Sequence, residues 1–459
     1  MLILFSLIIR DFETKAANAD STILIGRIII EGNKITRKNI ILRELTFNEG
    51  DSVRKSEILS LVKKNRENLL NTSLFNYVTV VFEDSSSDYT VVRITLEERW
   101  YIWPYPILEH ADRNFSNFLH DHDWNRINYG GFLQLNNVTG RNEVLKLKAR
   151  YGFKEQLAIG YGNPNIDRKH NHGIEIWLSH FRQKKVAANT VDNRLFYISS
   201  NNEYLKEYTV FDVKYSYRQQ HSIYHFLSCD YYFSDAADTI IAFNPGYYGN
   251  GNSDLKYSAF TYKLIYDLRD LQYYPTNGTY LEMGLKRLGF ANTPAVDCWQ
   301  IYADARKYWN PYGDFYWSFR LKGITTTGSN AAYVTGGALG YEDFLRGYEY
   351  YVIDGNNYVI ASQMLRWNMI PEKIMNAGFI PSSRFNKVHY TIYLSIFADA
   401  GFVNDRESIA VNNSMAGDFL YSWGAGLDFV TYYDKMLRLE YSVNKLGIGG
   451  LYLHFQTYF

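Results

Sequence analysis

Apolar and polar residues alternate along most of the chain after residue 98. In Leu145–Tyr151 (LKLKARY), every second residue is apolar and the residues between them are Lys or Arg. The segment Thr391–Gly401 (TIYLSIFADAG) has the same period, with Ile392 and Leu394 on its apolar face and Asp399 on the other. A period of two is typical of a β-strand with one apolar and one polar face. Soluble β-sandwiches alternate as well, so the pattern predicts strands and leaves their environment open.

Roughly 16 such segments can be placed after residue 98, each close to the about 9–11 residues with which a tilted strand crosses a bilayer. Their predicted first residues are Trp100, Ile127, Asn142, Glu155, His170, Glu207, Ser222, Tyr257, Gly278, Val296, Gly313, Asn357, Tyr390, Phe419, Lys435 and Gly449. An even number of strands returns the chain to the side from which it started. We therefore expect both ends of this region on one face of a membrane.

The connections between these segments differ in length according to side. Long connections fall on the predicted outer side, at 110–126, 183–206, 234–256, 325–356 and 403–417. Short turns fall on the inner side, such as Asn137–Gly140, Pro311–Tyr312 and Thr431–Asp434, with 370–388 as a long exception. Long outer loops and short inner turns are typical of outer-membrane barrels. The sequence predicts a transmembrane antiparallel β-barrel of about 16 strands over residues 98–459.

Composition supports a membrane environment for this barrel. Aromatic residues make up 17% of the chain, including 41 Tyr, and rings form girdles at both interfaces of a transmembrane barrel. Hydrophobic residues make up 46%, yet no run of 18 apolar residues predicts a spanning helix. The 48 basic and 48 acidic residues balance, so no general attraction to nucleic acid is expected. A soluble β-rich protein with a tyrosine-rich surface is an alternative.

The first part of the chain has a different pattern and predicts a small α+β domain over residues 22–97. The expected elements are a strand, two helices and two strands, giving a three-stranded sheet with both helices on one face. Their predicted bounds are Ile23–Glu31, Thr36–Leu45 with Thr36 as N-cap, Ser56–Leu70, Tyr77–Phe82 and Tyr89–Leu96.

Residues 1–21 precede this domain and predict a signal peptide. Leu2–Ile9 is an apolar run, and Ala17-Asn18-Ala19 has the small residues of a cleavage site. No basic residue precedes the apolar run, so a leader without fixed structure is the alternative.

Three motifs in the first domain resemble the signature of a POTRA domain. They are EGNKIT (Glu31–Thr36), REL…GD (Arg43–Asp51) and NTSLFNYV (Asn71–Val78). The resemblance implies a periplasmic domain that takes client segments by adding a strand to an exposed sheet edge, a mode that reads backbone more than sequence. The alternative is that the domain only braces the mouth of the barrel.

Three motifs in the barrel region resemble the BamA-like superfamily, also called the bacterial surface antigen family. They are DLRDLQYYPTNG (Asp267–Gly278), LRGY (Leu345–Tyr348) and FADAG (Phe397–Gly401). The resemblance implies that a long outer loop folds back into the barrel, where Arg346 pairs with Asp399. The residues of this loop lock would be Arg346, Gly347, Tyr348, Phe397, Asp399 and Gly401. A fixed structural lock and a latch that opens during transport both fit.

The chain ends in GLYLHFQTYF, a strand that closes with an aromatic residue. Leu451, Leu453, Phe455, Thr457 and Phe459 share one face of that strand. This ending resembles the sorting signal of outer-membrane barrels, which would rest on Leu453, Phe455 and Phe459. The resemblance also implies that the first and last strands, about residues 100–108 and 450–459, form a seam that can part.

The resemblance implies a factor for assembling outer-membrane proteins or translocating polypeptides, in the outer membrane of a Gram-negative bacterium with the POTRA domain in the periplasm. The implied partners are unfolded outer-membrane or secreted proteins, the bilayer and possible accessory lipoproteins. Because a single POTRA domain is present, an accessory insertase, a dedicated secretion transporter or a lipid-handling relative fits as well as a general assembly factor. A passive porin or receptor is an alternative from another class.

No pattern in the sequence predicts an enzyme, a cofactor or a metal site. Walker-type glycine loops, G-x-S-x-G and HExxH are absent. The groups His120–Asp123 and His170–His172 fall in predicted loops or strand ends without a third ligand at metal-site spacing, which favours polar loops. Cys229 and Cys298 lie far apart within strands and are expected to be free thiols.

Overall fold

The computed structural model describes residues 22–86, 89–110, 127–289, 295–376, 387–404, 412–431 and 435–456. The described residues form two compact units, one of residues 22–100 with 139–142 and one of residues 101–138 with 143–456. The predicted signal peptide and cleavage site lie outside the described residues. No described helix is long and apolar enough to cross a membrane.

The first unit is an α+β domain built on four strands. The strands are β1 (Thr22–Glu31), β2 (Ser52–Arg54), β3 (Phe75–Ser86) and β4 (Tyr89–Glu98), in the order β2-β1-β4-β3. The helices are α1 (Lys38–Leu42) and α2 (Ile58–Asn71), the second preceded by a short 3-10 turn at Lys55–Glu57. Leu69 of α2 and the inward residues Ile25, Val92 and Ile94 are fully buried, and each such side chain stabilises the fold by about 1.5–3 kcal/mol.

Two details of this unit differ from the sequence prediction. The prediction of a three-stranded sheet was wrong, because β2 adds a fourth strand. The three residues of β2 are too few to show alternation in the sequence. Thr36 is not the N-cap of α1: the cap is Arg37, whose side chain makes no capping hydrogen bond. The backbone N–H of Thr36 instead donates to Oε1 of Glu98 at 2.7 Å. The carboxylate at the end of β4 therefore fixes the chain before the helix, an interaction between residues distant in sequence.

The second unit contains a 16-stranded antiparallel sheet, which confirms the predicted barrel architecture. Every strand begins close to its predicted first residue. The strands are β5 (Ile102–His110), β6 (Ile127–Asn136), β7 (Val144–Gly152), β8 (Lys154–Asn163), β9 (His172–Gln183), β12 (Lys206–Gln220), β13 (Ile223–Ala236), β14 (Asp254–Asp267), β15 (Gly278–Leu288), β16 (Val296–Tyr312), β17 (Phe315–Asn330), β20 (Asn357–Asn376), β21 (Lys387–Asn404), β22 (Phe419–Thr431), β23 (Lys435–Asn444) and β24 (Gly449–Gln456).

Several connections carry structure of their own. A hairpin of β10 (Lys185–Val191) and β11 (Arg194–Ser199) follows β9, and helix α3 (Asp238–Phe243) follows β13. The connection after β17 contains a 3-10 turn (Tyr333–Thr335), β18 (Gly337–Leu339) and β19 (Ile353–Asp354). Part of the predicted long inner connection at 370–388 belongs to β20 and β21, which pair as far as Asn376 and Lys387.

The barrel strands bury their polar face and expose their apolar face. On β23, Arg438, Glu440 and Ser442 are 6%, 2% and 1% exposed, whereas Leu439 and Tyr441 between them are 42% and 54% exposed. A soluble domain has the opposite arrangement. An apolar exterior suits the hydrocarbon of a bilayer, and a polar interior is typical of transmembrane barrels.

The two end strands of the sheet, β5 and β24, come together at one point. The ammonium group of Lys435 lies 5.8 Å from the ring centre of Tyr105 on β5 and 5.9 Å from that of Phe455 on β24. A single cation shared by rings from both strands places the ends of the sheet next to each other. This contact lies between the first and last strands that the sequence predicts as the seam.

Candidate functional site inside the barrel

The connection between β17 and β20 folds its middle part into the barrel. Strands β18 and β19 pair at its neck, through Gly337 with Asp354 and Leu339 with Ile353. Beyond the neck, Leu345 and Tyr348 are 1% and 4% exposed. They pack in an apolar cluster with residues of β20, β21 and β22. An inserted loop is thus held against the inner wall on one side of the barrel.

Arg346 makes the central polar contact of this loop. Its Nε and Nη2 donate to the two carboxylate oxygens of Asp399 on β21, at 2.7 and 2.5 Å. The guanidinium carbon also lies 3.8 Å from the ring centre of Phe397, two residues earlier on the same strand. Bidentate pairing fixes the orientation of the guanidinium, and the ring face adds a cation–π contact.

Gly347 follows Arg346 in a conformation and a space that favour glycine. Its φ is +80°, in the left-handed region, and an added Cβ would lie 3.2 Å from Cβ of Ser422. Its carbonyl oxygen accepts a hydrogen bond of 2.8 Å from Nδ2 of Asn444. The loop backbone therefore touches the barrel wall directly at this residue.

Tyr348 and Gly401 complete the contact surface of the loop. The hydroxyl of Tyr348 donates to the carbonyl oxygen of Tyr421 at 3.1 Å and accepts from the backbone N–H of Lys445 at 3.3 Å. A Cβ on Gly401 would lie 3.4 Å from the side chain of Leu345, so glycine leaves room for that leucine. The structure thus brings together all six residues of the predicted loop lock; their role as a lock stays a prediction.

The residues predicted for the sorting signal point outward where the structure describes them. Leu453 and Phe455 on β24 are 39% and 67% exposed. Phe459 lies outside the described residues. Their exposure fits a lipid-facing strand, and the sorting role stays a prediction.

Sequence reasoning missed a second polar network, at the inner end of the barrel. Arg438 on β23 pairs through two hydrogen bonds of 2.7 Å with Asp428, its direct partner on β22. The Asp428 carboxylate also accepts from the hydroxyl of Tyr274 at 2.8 Å, and Nη2 of Arg366 donates to the carbonyl oxygen of Pro275 at 2.7 Å. The turn with the motif DLRDLQYYPTNG therefore inserts Tyr274 into the barrel. The cross-strand register of Asp428 and Arg438 was the available signal.

Sequence reasoning also missed a group of three ionisable side chains above this network. His454 Nε2 on β24 lies 3.2 Å from Oε1 of Glu349 in the loop and 3.2 Å from Oε1 of Glu440 on β23. The three residues border a cavity of about 420 Å³, which Arg346, Asp399 and Arg438 also line. Charged side chains of both signs therefore surround the inserted loop.

The histidines and cysteines discussed in the sequence analysis do not belong to these two groups of polar side chains. His120 and His122 are outside the described residues. Nδ1 of His172, at the start of β9, lies 2.6 Å from the hydroxyl of Tyr215, and His170 lies in the turn before it. Cys229 and Cys298 form no disulfide within the described residues, and the first is partly and the second fully buried.

Two family models match this chain. The model described as the Omp85 superfamily domain matches residues 137–442, and the POTRA model, described as a surface antigen variable number repeat, matches residues 23–99. Among curated proteins, no sequence matches.

Solved structures with the same fold include BamA and two CdiB proteins. BamA from Haemophilus ducreyi lacking POTRA domains 1–3 aligns with a TM-score of 0.50 at 15% identity, over 95% of this chain and 83% of that one. CdiB from Escherichia coli aligns with a TM-score of 0.56 at 12% identity, over 94% and 75%. CdiB from Acinetobacter baumannii aligns with a TM-score of 0.52 at 13% identity, over 94% and 73%. At these identities the likeness concerns the fold.

Proposed function

Because this chain belongs to the Omp85 superfamily and acts in insertion or translocation at the outer membrane, we propose that its POTRA domain captures an extended client segment and its barrel delivers that segment through the seam. The clients are unfolded outer-membrane or secreted polypeptides. The POTRA domain works in the periplasm, where accessory lipoproteins can join it. The chain moves polypeptides and catalyses no reaction.

The edge of the POTRA sheet supports the capture step. Strand β3 ends the sheet order, so β4 is its neighbour on one side only. It is 12 residues long, against three residues for β2 at the other edge. Val81 on this strand is 44% exposed. A long edge strand offers its outer row of backbone groups to an added strand, which is the basis of β-augmentation.

The backbone of β5 supports the delivery step and is the observation that carries the proposal. The N–H of Asn136 on β6 donates to the carbonyl oxygen of Tyr101 at 2.8 Å. In an antiparallel ladder every second residue hydrogen-bonds to the same neighbouring strand. The backbone N–H and C=O groups of Tyr101 and of the odd-numbered residues after it therefore point toward β6. Pro104 and Pro106 are even-numbered, so the backbone groups at these two positions point away from β6 and toward the seam.

Proline has no backbone N–H. Two of the seam-facing positions of β5 therefore cannot donate to β24, whatever the distance between the strands. Each missing backbone hydrogen bond removes about 0.5–1.5 kcal/mol from a ladder. The covalent structure of β5 makes the seam weaker than the ladders between neighbouring strands, and a client strand can compete for it.

Site-specific photocrosslinking in cells tests both steps. One probe replaces Val81 at the POTRA edge and a second replaces Leu453 on β24. A control probe replaces Leu59, which is 84% exposed and lies on α2, outside the sheet. Adducts to nascent outer-membrane proteins at Val81 and Leu453, with none at Leu59, are expected for an insertase. Adducts to one secreted polypeptide would indicate a dedicated exporter. Absence of adducts at Val81 beside a steadily conducting pore would contradict client handling and leave a channel.

A further inference from the structure

Glu349, Glu440 and His454 reach one point inside the barrel from three separate parts of the chain. Glu349 belongs to the inserted loop, one residue after Tyr348. Glu440 points inward from β23. His454 has the inward parity on β24, between the outward residues Leu453 and Phe455. One contact point therefore connects the loop to the last two strands.

The spacing of the three donor atoms suits a small cation. The ligand atoms of Glu349, Glu440 and His454 all lie within 4.8 Å of one another, and two of the separations are 3.2 Å. Zinc bonds of about 2.0–2.1 Å in a tetrahedron separate neighbouring ligand atoms by about 3.3 Å. An ion between these donors would thus need only small side-chain shifts.

The guanidinium groups beside Glu440 pair more closely with other carboxylates. Arg346 and Arg438 are the nearest guanidinium groups, but each is 4.0 Å from Oε2 of Glu440 and makes its bidentate pair with another carboxylate. Glu440 is 2% exposed, and its Oε2 has no hydrogen-bond partner among the described residues. Burial of a carboxylate without a full set of hydrogen bonds is unfavourable, and a cation bound at its other oxygen, Oε1, would offset part of that cost.

We propose that Glu349, Glu440 and His454 bind one divalent transition-metal ion of the zinc class. Two carboxylates and one imidazole form a mixed oxygen and nitrogen donor set, which suits zinc or cobalt better than magnesium or calcium. A fourth position faces the cavity of about 420 Å³ and takes water or a carboxylate from a ligand. The bound ion fastens the inserted loop to β23 and to the seam strand β24.

The sequence contains no spacing that reveals this site. Glu349, Glu440 and His454 do not form a short motif, and their convergence depends on loop insertion and on the register of β23 with β24. The alternative to a bound metal ion is a protonated His454, whose imidazolium would lie between the two carboxylates. A metal-binding measurement separates the two.

The experiment uses the full-length barrel protein in detergent, treated with chelator and then titrated with Co²⁺, whose visible d–d absorption reports coordination. One bound ion per chain is expected, displaced by Zn²⁺. Glu349→Gln, Glu440→Gln and His454→Gln should each weaken binding more than about tenfold, since even outer-shell partners of metal ligands contribute about 10–100-fold. Glu349→Gln changes only the loop, so it leaves the strands intact if a strand variant fails to fold.

His389→Gln is the matched control. His389 pairs with Glu372 at 2.6 Å, so it has the same kind of histidine–carboxylate contact, and no described residue adds a second glutamate to the group. This variant should bind Co²⁺ as the unmodified chain does. No Co²⁺ absorption in the unmodified chain, or binding unchanged in Glu349→Gln, would overturn the metal site and leave the protonated histidine. Because only metal binding is read, the result does not depend on the proposed transport function.

Discussion

The two units of this protein use the same alternation of residues in opposite senses. In the POTRA unit, Val92 and Ile94 of β4 are fully buried in the core, and Arg93 and Thr95 alternate with them on the more exposed face. In the barrel, Arg438 and Glu440 of β23 point inward and Leu439 faces out. A strand pattern alone therefore gives the period and not the environment. What an inward side chain touches decides whether its loss leaves a cavity or an unpaired charge.

The largest effect is expected from Arg438→Ala in the barrel. Asp428 is 0% exposed and would lose its bidentate partner, leaving an uncompensated buried charge that costs about 3–5 kcal/mol. Urea unfolding of the barrel in lipid vesicles measures this. Leu439→Ala, next to it on the lipid face, is the control and should change the unfolding free energy much less. Equal losses in the two variants would contradict a barrel held by its polar interior.

The second effect is expected from Asp399→Asn in the loop lock. The substitution keeps the size of the side chain and removes the charge that pairs with Arg346, so the inserted loop should loosen. Limited proteolysis of the folded barrel should then cut within residues 331–356. Ser395→Ala, an inward position on the same strand that does not contact Arg346, is the control. Protection equal to that of the unmodified chain would show that apolar packing of Leu345 and Tyr348 suffices.

The third effect is expected from Leu69→Ala in the POTRA unit. Leu69 is 0% exposed, and a leucine lost from a packed core costs about 2–5 kcal/mol because a cavity remains. Hydrogen exchange of α2 in the full chain measures the loss. Leu59→Ala on the exposed face of the same helix should have little effect. A similar increase of exchange in both variants would contradict a packed core beneath α2.

The smallest effect concerns pH and the exposed ion pairs of the POTRA sheet. A hydrogen bond from Arg93 lowers the pKa of Glu83 in the folded state. A carboxyl group with a depressed folded pKa stabilises the fold above its unfolded pKa, and the contribution is lost as the pH falls through the folded pKa. Thermal unfolding of the POTRA unit should therefore shift slightly downward below about pH 4. Glu83→Gln should remove part of that shift, and salt should weaken it. If Glu83→Gln showed the same shift of the unfolding temperature as the unmodified chain, the shift would come from other carboxylates.

The positions of the strands could be predicted because barrel strands must alternate and must cross a bilayer. The contact between Arg346 and Asp399 was expected from a family resemblance. Physical chemistry alone would have predicted two polar residues and not their pairing. Tyr274 with Asp428, and Glu349 with His454, could not be predicted, because their meeting depends on the shear of the barrel and on loop insertion. Strand β2 was missed because three residues carry no period.

The proposed function depends most on the passage of clients at a seam weakened by the prolines of β5. Photocrosslinking at Leu453 in cells, compared between the unmodified chain and the Pro104→Val, Pro106→Val double variant, tests it most directly. The substitutions restore two donors on residues that face lipid, so the barrel should fold as before while the seam becomes stronger. Client adducts are expected in the unmodified chain, and their yield should fall clearly in the double variant. Adducts of equal yield in both would contradict passage at a proline-weakened seam.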